Sequence, residues 1–214
     1  MASKAKTNDY WVYQTNIGYH GNTMIQAKLL TPTKFGDKVF SYGKDDSLVE
    51  LKSPMQLEPY QPGLKLVYQV NPKHIAFDNY VETHGFNLYS EKLIKLMKEF
   101  EVKFESFPVE MVDKEGKKLT GLEYHVFHPL LDYVDAMDKE KSHWSGKDDR
   151  GVNGLILKEK FKEQPIFLLE DICIPLMRDD LKQEIEKKDI TGFGFLRPSR
   201  YKSGKYGFAP DFND

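Results

Sequence analysis

Residues 90–111 read SEKLIKLMKEFEVKFESFPVEM, and the change of period inside them decides the fold class. Leu93, Ile94, Met97 and Phe100 recur at helical spacing and share one face, with charged residues between them. Ser90 stands before the run and can cap it through its hydroxyl. From Lys103 to Met111 the pattern turns to imperfect alternation, with Phe104, Phe107, Val109 and Met111 as its apolar set and Pro108 interrupting it. Proline cannot donate to a sheet ladder, so an edge strand or a bulged strand is expected.

Working towards the C-terminus, Gly116 lies in a charged turn that leads to a strand at Tyr124 to Phe127. Leu155 to Leu157, Ile166 to Leu169 and Ile172 to Ile174 read as short buried strands, the last ended by Pro175. Arg178 to Lys188 forms a second helix: Met177, Leu181 and Ile185 lie four apart, Asp179 and Asp180 suit its N-terminus, and Lys187 and Lys188 its C-terminus. Towards the N-terminus, Tyr10 to Thr15, Lys38 to Tyr42, Ser47 to Lys52 and Leu64 to Val70 carry the aromatic, β-branched or alternating character of strands. Pro54, Pro59, Pro62 and Gly63 mark an irregular connection before the last of these. Strands outnumber helices without alternating with them, which predicts an α+β fold of mostly antiparallel sheets with a few packed helices. The expected division is a β-rich segment 1–70, an α+β domain 71–196 and an extension 197–214.

The bulk composition narrows the function. Thirty-one basic residues against 33 acidic ones leave a formal charge of −2, so no global field points to nucleic acid or an anionic membrane. No apolar run approaches the roughly 18 residues of a membrane span, and Met1 to Asp9 lacks the apolar core of a signal peptide, so a cytoplasmic location is expected. The single cysteine, Cys173, cannot form an internal disulfide; inside the apolar stretch Ile172 to Leu176 it reads as a buried, inert thiol.

Three constellations could carry chemistry. His125, His128, Asp132, Asp135, Asp138 and His143 fall within 19 residues, and a metal-dependent enzyme could use His125, Asp132, Asp135 and Asp138. The spacing argues instead for a polar turn, because His125 and His128 are three apart on a strand and face opposite sides. Gly192-Phe193-Gly194 follows a helix and lacks a third glycine, so it reads as a helix-ending turn rather than a phosphate loop. Between Arg197 and Phe208, Arg197, Arg200, Lys202 and Lys205 interleave with Tyr201, Tyr206 and Phe208; nucleic-acid binding is one reading and a surface extension the favoured one. Asp138 to Asn153 reads as an exposed polar loop. His143, Trp144, Asp148, Asp149 and Arg150 within it are the candidate partner-binding residues, Trp144 being a typical interface anchor unless it folds back onto the core.

In their order, several segments resemble a family of bacterial immunity proteins encoded beside polymorphic toxins, of the type numbered eleven and formerly catalogued as a domain of unknown function. They are Tyr10-Trp11-Val12, Leu93 to Phe100 with Phe107-Pro108-Val109, Val134 to Asp138 with Ser142, Ile166-Phe167-Leu168, the helix from Arg178, and Ile190 to Phe195. The resemblance implies a non-enzymatic protein without cofactor, metal or catalytic residues, whose partner is a cognate toxin acting in the cytosol. It implies no membrane or nucleic-acid partner and leaves the oligomeric state open.

Overall fold

The helix after Ser90 begins where its cap dictates: the Ser90 hydroxyl accepts from the Leu93 amide at 3.3 Å, and α1 runs from Glu91–Glu99 with Leu93, Ile94, Leu96 and Met97 buried. In the computed structural model, residues 9–15, 28–29, 66–71, 77–81, 87–145 and 151–202 are described. They fall into two compact units, one drawn from Met1–Gln14, Asp132–Lys188 and Phe193–Asp214, the other from Thr15–Leu131 and Asp189–Gly192. The expected strands at Lys38 to Tyr42 and Ser47 to Lys52 and the proline-rich connection lie outside the described residues.

The strands, in chain order, are β1 (Tyr10–Thr15), β2 (Lys28–Leu29), β3 (Leu66–Gln69), β4 (Asn79–Val81), β5 (Asn87–Ser90), β6 (Phe104–Val112), β7 (Tyr124–Pro129), β8 (Tyr133–Val134), β9 (Trp144–Ser145), β10 (Gly151–Val152), β11 (Ile166–Leu169), β12 (Pro175–Arg178) and β13 (Phe193–Leu196). A second helix, α2, spans Asp179–Lys187, and a 3-10 turn spans Pro198–Arg200. The two large sheets are mixed but mostly antiparallel, so the fold is α+β, as the patterning implies.

The unit containing α1 holds the sheet β2-β3-β6-β7-β5-β4. Leu66, Tyr68, Leu88, Met111, Tyr124 and Val126 form its buried cluster, the period-two selection expected of one sheet face. Tyr89 and Phe127 stack with ring centroids 3.9 Å apart. β6 is interior in the order, which overturns the edge strand, one of the two forms expected. Pro108 is tolerated because β6 pairs with β7 over Phe104 to Val109 but with β3 only from Val109 onward. Among the described residues, Pro108 therefore has a partner strand on one side only, in β7.

The other unit holds the sheet β13-β1-β12-β11-β8. The register Val12↔Leu176↔Phe167 puts apolar side chains on one face, where Tyr10, Phe167, Leu169, Leu176, Leu196 and Tyr201 are buried together. The opposite face carries Trp11, Met177 and Ile166 in one row. Ile172 to Ile174 is the turn between β11 and β12 rather than a strand, and Pro175 opens β12 instead of ending a strand. A first-position proline suits a strand, since no donor is needed there. Cys173 is exposed with φ 52, contrary to the buried thiol expected: Ile174 takes the core position, and the turn lifts its predecessor outward.

Other expectations are corrected by long-range contacts. Leu155 to Leu157 is no strand; Leu155 is buried and its amide donates to the Pro198 carbonyl, while Leu157 makes one isolated bridge to Met137. Phe193 and Gly194 belong to β13, and of the three residues Gly192, Phe193 and Gly194 only Gly192 adopts positive φ. Tyr201 is not on a surface extension: at 1% exposure it sits in the core, held where the Gly154 amide donates to its carbonyl.

Candidate functional site

The Asp138 to Asn153 segment is a built hairpin rather than a simple exposed loop. β9 and β10 pair antiparallel, with Val152 opposite Trp144 and Gly151 opposite Ser145. Val152 is buried, and Ser142 is 5% exposed. The Ser142 hydroxyl donates to the Ile156 carbonyl at 3.3 Å and accepts from the Ile156 amide at 3.0 Å. Asp138 closes the turn by accepting from the Lys141 amide at 3.2 Å and holding the Lys141 ammonium at 2.9 Å. The serine and aspartate singled out in the sequence therefore tie the hairpin's base to residue 156.

His143 is exposed at the start of this hairpin, its carbonyl accepting from the Asn153 amide at 2.6 Å. Trp144 is placed in β9 by its backbone, and Asp148, Asp149 and Arg150 lie outside the described residues. Residues 153–155 are anchored in turn to the C-terminal segment: Gly154 donates to Tyr201 at 2.5 Å, Leu155 to Pro198 at 2.8 Å, and Asn153 bridges to Lys202.

The polar groups of the suspected metal cluster are engaged separately. His125 Nε2 lies 2.7 Å from Glu91 at the start of α1, whereas His128 Nδ1 lies 3.2 Å from Glu105 on β6. Burial pulls the His128 imidazole below its ordinary pKa, outweighing the opposite influence of Glu105. Asp132 accepts from Gln164 at 2.8 Å and from Lys162 at 3.3 Å. Asp135 is held by Lys158 and Asp138 by Lys141, and these lysine hydrogen bonds keep both carboxyls below the usual carboxylate range. Among the described residues, no group of three or more His, Cys, Asp or Glu side chains could hold a metal.

A cleft of about 480 Å³ opens beside β6 and β7, bordered by Glu91, Glu110, Lys118, Glu123 and His125. Across its border Lys118 pairs with Glu110 at 3.1 Å, and His125 Nε2 lies 2.7 Å from Glu91.

One cluster was not legible in the sequence. Trp11 on β1, Asp179 and Lys182 on α2, and Arg197 after β13 converge, with the indole N–H donating to Asp179 at 2.6 Å. These residues are up to 186 positions apart in sequence, and only the pairing of β1 with β12 and β13 brings them together. The one available signal was the alternation of β1, which puts Trp11 on the face opposite Tyr10 and Val12.

Comparison with known families places the chain in the class of immunity proteins of polymorphic toxin systems. The matching family model is Immunity protein 43, over residues 52–203, and the chain belongs to that family. The class is the one its segment order resembles, while the family bears the number 43 in place of the eleven type. Among curated proteins, none matches the chain. No helix of the described residues is long and apolar enough to cross a membrane.

Proposed function

We propose that this chain neutralises a cognate toxin acting in the bacterial cytosol by covering or distorting the toxin's active site. The observation that carries the proposal is the match to Immunity protein 43 across most of the chain. Such an inhibitor needs a complementary surface, not chemistry, and about 1,600 Å² of total buried area suffices for a stable complex. The internal pairing of Asp132, Asp135 and Asp138 with lysines supports this reading, because carboxylates so engaged are ill suited to acid–base work.

His143, Trp144, Asp148, Asp149 and Arg150 are the proposed contact residues on and beside the β9–β10 hairpin. The base of that hairpin is tied down by Ser142, Asn153 and Gly154, a rigid support that lowers the entropy lost on docking. The test is co-expression with the C-terminal domain of a large secreted protein, where the adjacent upstream gene encodes one. Growth should be restored by the intact chain, and Trp144→Ala with Asp148→Ala should weaken binding by at least about tenfold while the far-UV spectrum is retained. Unchanged affinity would remove the hairpin from the interface; no rescue by the intact chain would remove the immunity reading.

A further inference from the structure

Trp11 is the seat of a cation. The Arg197 guanidinium carbon lies 3.7 Å from the indole centroid, and Lys182 Nζ lies 4.4 Å from it. The ring is fixed by its N–H bond to Asp179, whose second oxygen accepts from Gln183 on the next turn of α2. The neighbouring charges are answered locally: Lys182 pairs with Glu186 at 2.6 Å, and Arg178 grips Asp180 with two nitrogens at 2.7 and 2.9 Å. Arg197 differs from them. It is exposed, stacks on Trp11, and has no carboxylate partner among the described residues. Phe193 and Phe195, half-buried and stacked 5.8 Å apart, extend the patch along β13, and Lys182 also lies 5.4 Å from the Phe195 ring.

A guanidinium laid on an indole keeps its hydrogen-bond donors free while much of its rotamer freedom is already lost. Tryptophan and arginine together are also the residue types that dominate binding energy at protein interfaces. The segment following Arg197 is bonded through Pro198 and Tyr201 to residues 154 and 155 at the root of the hairpin. We propose that Arg197, seated on Trp11, is the charged anchor of the toxin-binding surface and receives a side-chain carboxylate of the toxin. The proposal rests on the immunity reading above and extends it to a surface outside the hairpin.

Charge complementarity favours a carboxylate on a protein over the phosphates of a nucleic acid. The neighbouring charges pair off, so among the described residues no run of unpaired cations stands beside Arg197 to follow a phosphate backbone, whereas one carboxylate can meet Arg197 alone. Tyr201, the aromatic residue nearest Arg197 in the tail, is buried and offers no face to a base.

The experiment measures the affinity of the full chain for the adjacent toxin domain, with Arg197→Glu, Arg197→Gln and Arg197→Lys variants checked for native circular dichroism. Arg197→Glu should weaken binding by at least about 30-fold, Arg197→Gln by less, and Arg197→Lys least of all. A Lys substitution at one toxin carboxylate should recover affinity for Arg197→Glu. If wild type protects cells but folded Arg197→Glu or Arg197→Gln binds as well as wild type, the anchor is refuted and immunity stands. If wild type neither binds nor protects, both fail. Loss of retention on a single-stranded oligonucleotide, with toxin affinity intact, would reassign Arg197 to nucleic acid and overturn the proposal.

Discussion

Replacing Gly192 with Ala tests a close backbone approach within the α1-containing unit. Gly192 has φ 93, and an added Cβ would lie 2.4 Å from the Asn79 carbonyl oxygen and 3.1 Å from the Asn79 nitrogen. Both neighbours are backbone at the start of β4, so no flexible side chain can yield. Asn79 is 2% exposed, and its amide donates to the Gly192 carbonyl at 3.1 Å, a bond that displacement would break. The left-handed conformation costs an L-residue about 1–2 kcal/mol. Overpacking adds about 1–3 kcal/mol, and loss of the Asn79–Gly192 hydrogen bond about 0.5–1.5 kcal/mol more. The expected loss is about 2.5–6.5 kcal/mol, and with a urea slope of roughly 2 kcal/mol per M the midpoint should fall by at least about 1.2 M. Gly116→Ala is the control, because Gly116 also has positive φ, at 80, but nothing lies within 4 Å of its added Cβ. It should cost only the conformational part, about 1–2 kcal/mol. Urea titration followed by far-UV circular dichroism compares the two; equal midpoints for the two variants would refute the close-approach argument.

Two further outcomes follow from buried polar groups. The Tyr201 hydroxyl is buried without a hydrogen-bond partner among the described residues, and burial pushes its pKa up to about 12. Tyr201→Phe should therefore leave stability unchanged or raise it by about 1 kcal/mol, whereas Tyr201→Ala should cost about 3–5 kcal/mol. A Phe variant destabilised by more than about 1 kcal/mol in the same titration would show that the hydroxyl is bonded after all. For His128, burial lowers the folded-state pKa below 6.5, so above that value both states are neutral and nothing is contributed. As pH falls below 6.5 the unfolded chain takes up the proton first, and stability declines until the folded pKa is reached. Urea midpoints at pH 7.5 and 5.5 should thus fall further for the wild type than for His128→Phe; a wild type that gains relative to the variant on acidification would mean that the His128–Glu105 ion pair outweighs burial.

The helices were legible because their signals are local. Ser90 and the Leu93 to Met97 face determine α1, and Leu181 with Ile185 and the flanking charges determines α2. Strand existence at Tyr10, Leu66, Tyr124 and Ile166 was equally legible, since period-two burial needs only a few consecutive residues. Failures came where the partner decides the structure. Pro108 suggested an edge or a bulged strand, yet β6 lies between β3 and β7, with β3 pairing only from Val109 onward. Tyr201 in a basic, polar tail suggested a surface, yet the carbonyls around it satisfy Gly154 and Leu155, donors more than 40 residues earlier. The candidate hairpin was found as a polar segment, but its buried Ser142 and Val152 were hidden by the same polarity.

These failures and the proposed anchor share one cause. Residues 197–202 are short of apolar side chains, so composition assigns them to solvent. Their backbone nevertheless completes the hydrogen bonding of residues 153–155, and in doing so it fixes the position of Arg197 over Trp11. A cation held this way differs from one at the end of a free tail: it meets its partner in one orientation and sheds little entropy when it does. The bonds that draw Tyr201 into the core are thus the ones that give Arg197 a defined place to stand, and cutting the chain after Leu196 should remove a core ring and the anchor together.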